Sequence, residues 1–364
     1  MMNTLAVPGK YIQGKDAIND MYKHIRFLGT RFLILTDNVV KGIIDKKIKH
    51  AFEDCSGCFE YIMFSGEATD AHAQEVADYA VENKYDVIIG AGGGKSIDCS
   101  KYAAQKANLS NVIIPTIAAT DAPCSAISVV YDENGGFAAT LKLKRHPDVV
   151  IVDTEVIMNA PARMLVAGIG DAFATYYEAK ACKLSGVENY TDGVATNTAY
   201  YLAKLCNEML FKYAVKAVKD IKEKTLSKEL EAIIETNIYL SGVGFENNGC
   251  AIAHGIYNGM SFAKGHENAL HGEMVAYGTL AQLAAEYIDR GKWDEKEWEN
   301  VMNFYKAVGL PVNLNDLGMP NSDSYIRKIA ELTCTKSEDA HRMPFHVDEN
   351  VIVDAVKAVE SNQL

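Results

Sequence analysis

The sequence predicts an α/β amino-terminal half followed by an all-helical carboxyl-terminal half, and three observations support this division. Short apolar runs alternate with helix-like stretches up to about residue 155, glycine-rich or polar segments follow several of these runs, and helical periodicity then continues without a convincing strand. Alternating strands and helices are typical of a parallel sheet with helices on both faces. The predicted domains are residues 1–157 and 158–364.

Five short apolar runs in the first half are predicted strands, because turn residues bound them and they lack a polar face. They are Phe32–Leu35, Phe59–Phe64, Asp86–Gly90, Val112–Ile114 and Val149–Val152. Helical spacing predicts helices over Asp70–Val81 and Lys95–Ala107. An Asn-Gly pair at positions 134–135 predicts a β-hairpin within residues 127–141.

The second half is predicted to begin with a long helix that has Pro161 near its first turn. Further helical patterns cover Thr191–Asn207, Ser227–Gly242, Glu267–Tyr287, Glu295–Val308 and Asp348–Val359.

Composition excludes several classes of protein. The 364 residues carry a net charge of −12, which disfavours non-specific nucleic-acid binding. The longest apolar runs fall short of the roughly 18 residues of a membrane span, and the amino terminus lacks the pattern of a signal peptide. The eight cysteines are expected to be reduced thiols in the cytoplasm. Cys55 and Cys58 form a CxxC without the second pair that a structural zinc site needs.

A glycine-rich segment, Gly90–Ser96, follows one predicted strand and opens a predicted helix. It contains Gly92, Gly93, Gly94 and Lys95. Glycines let a ligand approach the backbone, and a helix amino terminus favours a diphosphate. The alternative interpretation is a tight strand-to-helix turn without a ligand.

Two other segments follow predicted strands. Asp37 could accept hydrogen bonds from ribose hydroxyls and repel a 2′-phosphate, although an aspartate there is more often a helix cap. The segment Pro115–Ser125 offers hydroxyls and the Asp121 carboxylate for a cofactor or polyol. A loop rich in turn-forming residues is the alternative.

Asp171, His254 and His271 are far apart in sequence, and each lies among small or apolar residues. A carboxylate or imidazole in such surroundings needs a partner. One carboxylate and two imidazoles suit a catalytic zinc with one open position. Any single histidine here would more often be a hydrogen-bonded structural residue.

Several motifs in a fixed order resemble the glycerol-dehydrogenase branch of the iron-containing (group III) alcohol dehydrogenase family. They span almost the whole chain: Pro8–Gly14, Gly92–Lys95, Pro115–Pro123, Gly168–Ala172, Ala253–His254 and His271–Gly278. The resemblance implies an α/β dinucleotide domain followed by a helical metal domain, as in dehydroquinate synthase. It also implies NAD-dependent oxidation of a small vicinal diol, with glycerol to dihydroxyacetone as the expected reaction.

The resemblance further implies a role for each candidate residue. The implied zinc ligands are Asp171, His254 and His271. The implied NAD-binding residues are Asp37 at the adenosine ribose, Gly92, Gly93, Gly94 and Lys95 at the diphosphate, and Thr116, Ser125, Ile127 and Tyr131 in the remainder of the site. Asp121 is expected to bind a substrate hydroxyl. A homo-oligomer, an octamer in the family, is also implied.

The sequence departs from the family pattern at three positions. Iron-dependent relatives carry a histidine where this chain has Thr175, so the three-ligand set resembles the zinc type, and another divalent metal remains open. Tyr257 and Ala119 replace a common histidine and a common serine, which leaves the substrate open.

Two other functions remain open from the sequence. A dehydroquinate-synthase-like lyase or cyclase would also use NAD and a metal, but it needs several basic residues near the metal. The ligand-bearing segments offer Lys264 alone. A non-catalytic binder of nucleotide and metal is the second alternative.

Overall fold

The computed structural model describes residues 1–132, 136–263 and 265–361. The predicted turn at positions 134–135 and Lys264 lie outside these ranges. The strands are β1 (Asn3–Thr4), β2 (Tyr11–Gly14), β3 (Arg31–Thr36), β4 (Cys58–Met63), β5 (Val87–Gly92), β6 (Ser110–Pro115), β7 (Ile127–Tyr131), β8 (Phe137–Lys142), β9 (Val149–Asp153) and β10 (Val194–Ala195).

Helices follow the strands through the α/β region and then dominate the chain. They are α1 (Met21–Ile25), α2 (Asn38–Ala51), α3 (Asp70–Glu82), α4 (Gly94–Ala107), α5 (Thr154–Asn159), α6 (Ala162–Ser185), α7 (Asn197–Lys222), α8 (Lys228–Glu235), α9 (Ser241–Asn248), α10 (Ile252–Phe262), α11 (His271–Asp289), α12 (Glu295–Val308), α13 (Asp323–Lys336) and α14 (Glu349–Ser361). Short 3-10 turns and a π-helical turn, Thr236–Leu240, complete the elements.

The main sheet has six parallel strands in the order β2-β9-β6-β5-β3-β4. It contains all five strands predicted from apolar runs, so the predicted α/β class is confirmed. The sequence analysis did not predict β2, which is half-buried at the sheet edge and has no continuous apolar run. Strands β7 and β8 form the predicted antiparallel hairpin.

Both faces of the sheet are covered, as the apolar strands predict. Along β3, Phe32 and Ile34 pack with one helical layer, which includes α2. Leu33 and Leu35 point to the opposite face and pack against α3 and α4. This alternation of two buried faces explains why β3 lacks a polar face.

The chain folds into two compact units. The α/β unit comprises Ala6–Pro161 together with Asp220–Gly242, and the helical unit comprises Met1–Leu5, Ala162–Lys219 and Val243–Leu364. The sequence-based division at 157/158 differs from these units in three places: it assigns residues 1–5 to the first domain, and residues 158–161 and 220–242 to the second. Hydrogen bonds from Gln13 to the Glu231 carbonyl (2.9 Å) and from Thr154 to the Glu231 carboxylate (3.1 Å) hold part of this segment to the α/β unit.

The helical unit differs from the sequence prediction in detail. The expectation of no strand after residue 155 is wrong, because β10 pairs in parallel with β1. This pairing is non-local and two residues long, so it leaves no periodic pattern in the sequence. The predicted helix over Thr191–Asn207 begins at Asn197 and continues to Lys222, whereas α10 and α13 were not predicted. Among the described residues, no helix combines the length and apolarity needed to cross a membrane.

Candidate active site

The candidate nucleotide residues lie at one edge of the sheet in the α/β unit. Asp37 follows β3, and the glycine turn follows β5. The chain passes from β3 to β4 on one side and then returns to β5 on the other side of β3. Ligands of open parallel sheets bind outside the carboxyl ends of strands where the strand order reverses in this way. The topology therefore brings Asp37 and the glycine turn to the expected nucleotide crevice.

The glycine turn, defined here as Gly92–Lys95, leads directly into α4. Gly92 has a φ of 144°, which favours glycine. Its carbonyl accepts a hydrogen bond from the Thr116 N–H at 3.0 Å, which joins the turn to the next candidate segment. The first N–H groups of a helix lack intrahelical acceptors, so the start of α4 can receive an anion.

Lys95 is exposed and makes two contacts within the α/β unit. Its ammonium forms an ion pair with Glu67 at 2.5 Å and lies 5.7 Å from the centre of the Tyr131 ring. The structure thus brings together Lys95 and Tyr131, two residues that the sequence places 36 positions apart. The contact with Glu67, which is half-buried, was not predicted, because a lone glutamate gives no distinctive signal in sequence.

Asp37 is the amino-terminal cap of α2. Its Oδ1 atom accepts hydrogen bonds from the N–H groups of Val39 and Val40, each at 2.8 Å. This is the capping interpretation that the sequence left open. Oδ1 accepts both hydrogen bonds, so the cap does not use Oδ2. Oδ2 is the oxygen that a ribose hydroxyl could bind.

The loop after β6 carries Asp121 and Ser125, both buried. The Ser241 hydroxyl donates a hydrogen bond of 2.7 Å to Oδ2 of Asp121. Ser241 was not predicted, since it lies 120 positions away and a lone serine carries no motif. Asp121 therefore has a structural partner in addition to the substrate role inferred from resemblance.

Three helices of the helical unit bring the predicted metal ligands together. Helix α6 carries Asp171, α10 carries His254, and α11 begins at His271. Glycines permit the close approach: a Cβ atom at Gly272 would overlap the Ala167 carbonyl of α6. The small residues around the ligands in sequence are thus explained by helix packing.

The three side chains, called the metal group below, converge on one point. Oδ1 of Asp171 lies 3.1 Å from Nε2 of His271 and 3.5 Å from Nε2 of His254. The Asp171 side chain is 1% exposed, whereas those of His254 and His271 are 14% and 33% exposed. The metal group is therefore closed on the carboxylate side and open on the side of His271.

These distances fit a shared metal ion. Tetrahedral ligands at zinc bond lengths are separated from one another by about 3.4 Å, close to both measured distances. Three protein ligands leave a fourth position for water or substrate. The residues present thus suit a catalytic rather than a closed structural site.

Electrostatics of the metal group favour a cation. Burial would raise the pKa of Asp171, but the charge of His271 and hydrogen bonds from both imidazoles lower it below the ordinary carboxyl range. Burial would lower the pKa of His254, but the nearby Cys250 and Glu178 and the hydrogen bond to Asp171 raise it. Metal binding must displace the proton of His254, so apparent metal affinity should fall as pH falls.

Glu178 is a buried partner of His254 that sequence analysis did not identify. Its Oε2 atom is 2.7 Å from Nδ1 of His254, and its Oε1 atom accepts hydrogen bonds from the N–H groups of Ala251 (2.7 Å) and His254 (2.9 Å). A carboxylate on Nδ1 directs Nε2 towards the metal group and orients the ring. The seven-residue spacing from Asp171, two turns along one face of α6, was the available signal.

Glu178, Cys250 and His254 form a second set that could hold a metal ion. Two observations favour the Asp171 group. Nδ1 of His254 is already engaged by Glu178, and burial raises the pKa of the Cys250 thiol to about 12. A thiol binds metal as its thiolate, so Cys250 is a poor ligand in this state.

Comparisons with known proteins identify the family of this chain. Residues 8–154 match the family model described as iron-containing alcohol dehydrogenase. A glycerol dehydrogenase of Thermotoga maritima is 41% identical over 99% of this chain and 97% of its own length. The chain belongs to the iron-containing alcohol dehydrogenase family.

Two further relatives define the neighbourhood within this family. A glycolaldehyde reductase of Halobacterium salinarum is 35% identical over 98% of this chain and 96% of its own length. The crystal structure of a probable glycerol dehydrogenase from Sinorhizobium meliloti superposes with a TM-score of 0.92 at 37% identity, covering 99% of each chain. The predicted family and fold are confirmed.

The three departures from the family pattern occupy defined places. Thr175, one turn after Asp171 on α6, is buried and lies outside the metal group. The Tyr257 ring meets the His271 ring edge-on, with centroids 4.2 Å apart. Ala119 is buried in the loop after β6. Tyr257 thus packs against His271, one of the predicted metal ligands.

Arg163 and Glu273 hold His271 at the start of α11. Both nitrogens of an Arg163 fork donate to the Glu273 carboxylate at 2.7 Å, and Glu273 also accepts the Leu270 N–H at 2.8 Å. Paired bonds of this kind fix orientation better than a single contact. Since α6 carries Arg163 and Asp171, this clamp ties His271 to the helix of its neighbouring ligand.

Proposed function

We propose that this protein is a metal-dependent, NAD-linked dehydrogenase of a small vicinal diol, with glycerol to dihydroxyacetone as its reaction. The observation that carries the proposal is the approach of two imidazole nitrogens to one buried carboxylate oxygen at 3.1 and 3.5 Å. The glycerol dehydrogenase relatives support the substrate class. The lyase alternative is not favoured, because the full-length relatives named here are a dehydrogenase and a reductase.

The metal assignment is zinc, held by Asp171, His254 and His271. A bound ion there would act as a Lewis acid on the hydroxyl to be oxidised. Asp171 supplies negative charge from a buried position, and Glu178 keeps Nε2 of His254 directed towards it. The 33% exposure of the His271 side chain leaves an approach for a small polar substrate.

The nucleotide assignment places NAD at the carboxyl ends of β3, β5 and β6 in the α/β unit. The start of α4 would bind the diphosphate. The Asp37 carboxylate oxygen that does not cap α2 would bind the adenosine ribose. The remainder of the cofactor would contact Thr116, Ser125, Ile127 and Tyr131. The nicotinamide supplies the hydride acceptor. Asp121 would accept a hydrogen bond from the substrate hydroxyl that is not oxidised. The α/β and helical units are proposed to act as nucleotide and metal domains, with the expected boundary near 157/158.

Three finer assignments accompany this function. A homo-oligomer, with the octamer of the family as the expected form, follows from resemblance. Cytoplasmic location is supported by the eight cysteines, all of which are free thiols. Neither nucleic acid nor membrane is an expected partner, given the net charge of −12.

The name of one relative supports the reverse reaction, the reduction of a carbonyl group, as a second candidate function. The glycolaldehyde reductase of Halobacterium salinarum covers 98% of this chain. Reduction of a short α-hydroxyaldehyde would use the same metal group, with the carbonyl oxygen in place of the hydroxyl.

The test is a panel of diols with NAD and NADP, and of α-hydroxyketones and α-hydroxyaldehydes with NADH and NADPH. Metal content is measured before chelation and after re-addition of zinc, iron or manganese. The proposal expects NADH formation from glycerol that is lost on chelation and restored by zinc. Turnover of glycerol by the fully metal-free protein would contradict it.

A further inference from the structure

Helix α4 carries a buried ion pair beyond its glycine-rich start. Nζ of Lys101 lies 2.9 Å from Oδ1 of Asp98, and the two side chains are 2% and 9% exposed. Buried charges are costly, and they persist where partners satisfy them fully. Neither residue has a place in the site described above.

The Lys101 ammonium holds one side of the neighbouring loop. It donates hydrogen bonds to the carbonyl groups of Ala122 (2.9 Å) and Ile127, with the Ser125 carbonyl at 3.4 Å. An ammonium has three protons, and the carbonyl groups of Ala122, Ser125 and Ile127 accept them, while the Asp98 carboxylate balances the charge as an ion-pair partner. The Lys101 side chain of α4 thus binds carbonyl groups within residues 122–127.

Asp98 holds the strand that follows. Its Oδ2 atom accepts the Val129 N–H at 3.1 Å, and its backbone carbonyl accepts the Ser128 hydroxyl at 3.0 Å. Together the two residues fix the segment 122–129 to α4 through side-chain bonds. We call this segment the tethered loop.

The tethered loop follows Asp121 directly and includes Ser125 and Ile127, which are assigned above to substrate and cofactor. The helix that begins at the glycine turn therefore also sets the position of these residues. We propose that Asp98 and Lys101 are positioning residues, which fix the tethered loop relative to the glycine turn so that both parts of the α/β unit contact NAD at once. That NAD is the ligand rests on the proposed function. The position of the tethered loop rests on the hydrogen bonds and the ion pair described above.

The experiment compares Lys101→Met with the paired variant Asp98→Asn/Lys101→Met. The single change leaves Asp98 as an uncompensated buried charge, which can prevent folding. The paired variant removes both charges, so the test does not depend on the single variant. Lys106→Met is the matched control. It lies on the same helix, but its ammonium bonds Asp70 (2.8 Å) and Gln74 (3.2 Å) instead of the tethered loop.

Four quantities are measured on each folded variant: NADH affinity, ADP affinity, kcat, and amide hydrogen exchange of the tethered loop and of α2. ADP probes the glycine turn without the nicotinamide half of the cofactor. The paired variant should bind NADH at least about tenfold more weakly and lose on the order of 100-fold in kcat, the effect of a displacement near 1 Å. ADP affinity should change by less than about twofold, and exchange should rise in the tethered loop while that of α2 stays constant.

Two outcomes overturn the inference. One is a folded paired variant whose loop exchange, NADH affinity and kcat match those of Lys106→Met. The other is an equal loss of ADP and NADH affinity, which indicates a general structural defect. If the unmodified protein fails to bind NADH, the proposed function fails instead, and hydrogen exchange still decides whether the ion pair holds the tethered loop.

Discussion

The metal group consists of side-chain atoms, whereas the glycine turn offers mainly backbone. Asp171, His254 and His271 come from three helices and span 100 positions of the chain. The glycine turn occupies four consecutive residues, from the last residue of β5 to the second residue of α4. The first site depends on correct helix packing, and the second depends on local conformation and the helix amino terminus.

This difference predicts different responses to substitution. Each member of the metal group would be one of three protein ligands, so its loss should remove a large share of the metal-binding energy. A dinucleotide at the glycine turn would contact several backbone N–H groups, so we expect each of them to contribute a smaller share. The predictions below test that contrast, starting with the largest expected effect.

Replacing His271 with Ala should abolish metal retention and reduce kcat by a thousandfold or more, on the order of the loss of a strong electrostatic stabiliser. His271 is the better first target, because His254→Ala would also leave buried Glu178 without its imidazole. Metal content per folded chain and turnover are the measurements.

The matched control is His341→Ala, an exposed histidine of the same unit whose ring bonds the Cys334 carbonyl at 2.9 Å. It should keep full metal content and activity. If His271→Ala retains both metal and turnover, His271 is not a metal ligand. The contrast between a site of side chains and a site of backbone groups would then be weaker.

Asp121 lies in the α/β unit but is proposed to bind substrate through its side chain, in contrast to the backbone groups of the glycine turn. Asp121→Ala should lower kcat/KM for glycerol by about 1.5–3 kcal/mol, the range for a hydrogen bond to a charged group, and should affect a simple secondary alcohol much less. A site built for a hydroxyl discriminates against analogues that lack it. The ratio of kcat/KM for diol and monoalcohol is measured.

Ser241→Ala is the control that the structure provides, because it removes the partner of Asp121 without removing the carboxylate. It should change the diol-to-monoalcohol ratio by less than about twofold. If both variants lower activity on diols and monoalcohols equally, Asp121 serves to anchor Ser241, and the substrate assignment is wrong.

The sequence predicted those parts of the molecule that leave local patterns. Five buried parallel strands and the glycine turn were recognisable because apolar runs and glycines are consecutive in the chain. The edge strand β2 and the pairing of β1 with β10 were not, since their stability comes from partners more than 130 positions away.

Site residues follow the same rule. The metal ligands became candidates through motif order and resemblance, and their convergence needed the fold. Ser241 and Lys101 could not be recognised from sequence, because their roles depend on hydrogen bonds to particular atoms. Glu178 left one signal, its spacing of two helical turns from Asp171, which the sequence analysis did not use. Asp37 shows a further limit: the pattern indicated a cap or a ribose ligand, and the structure provides the cap.

Glu178 tests whether the metal group depends on more than its ligands. Glu178→Gln keeps the size of the side chain but weakens the bond to Nδ1 of His254, so metal affinity should fall by roughly 10- to 100-fold. Competition with a chromophoric chelator measures this affinity without reference to turnover. Glu297→Gln, whose carboxylate bonds the Tyr287 hydroxyl at 2.9 Å in the same unit, is the control and should leave metal affinity unchanged.

Asp37 carries the smallest expected effect, and the choice of variant follows from its cap. Serine is also a good amino-terminal cap, so Asp37→Ser should keep α2 intact while removing the negative charge. Without the negative charge, a 2′-phosphate is no longer repelled, so the preference for NAD over NADP should fall by roughly tenfold. This corresponds to about 1.4 kcal/mol, near the lower end of the interaction energy between two charges at a protein surface. The ratio of kcat/KM for the two cofactors is measured in parallel with thermal stability.

Asp37→Ala, which removes the cap as well, should show the same cofactor ratio with a further loss of about 1 kcal/mol in unfolding free energy. A cofactor ratio unchanged in both variants, together with the stability loss in the alanine variant alone, would mean that Asp37 is a helix cap and that NAD selectivity resides in other residues of the α/β unit.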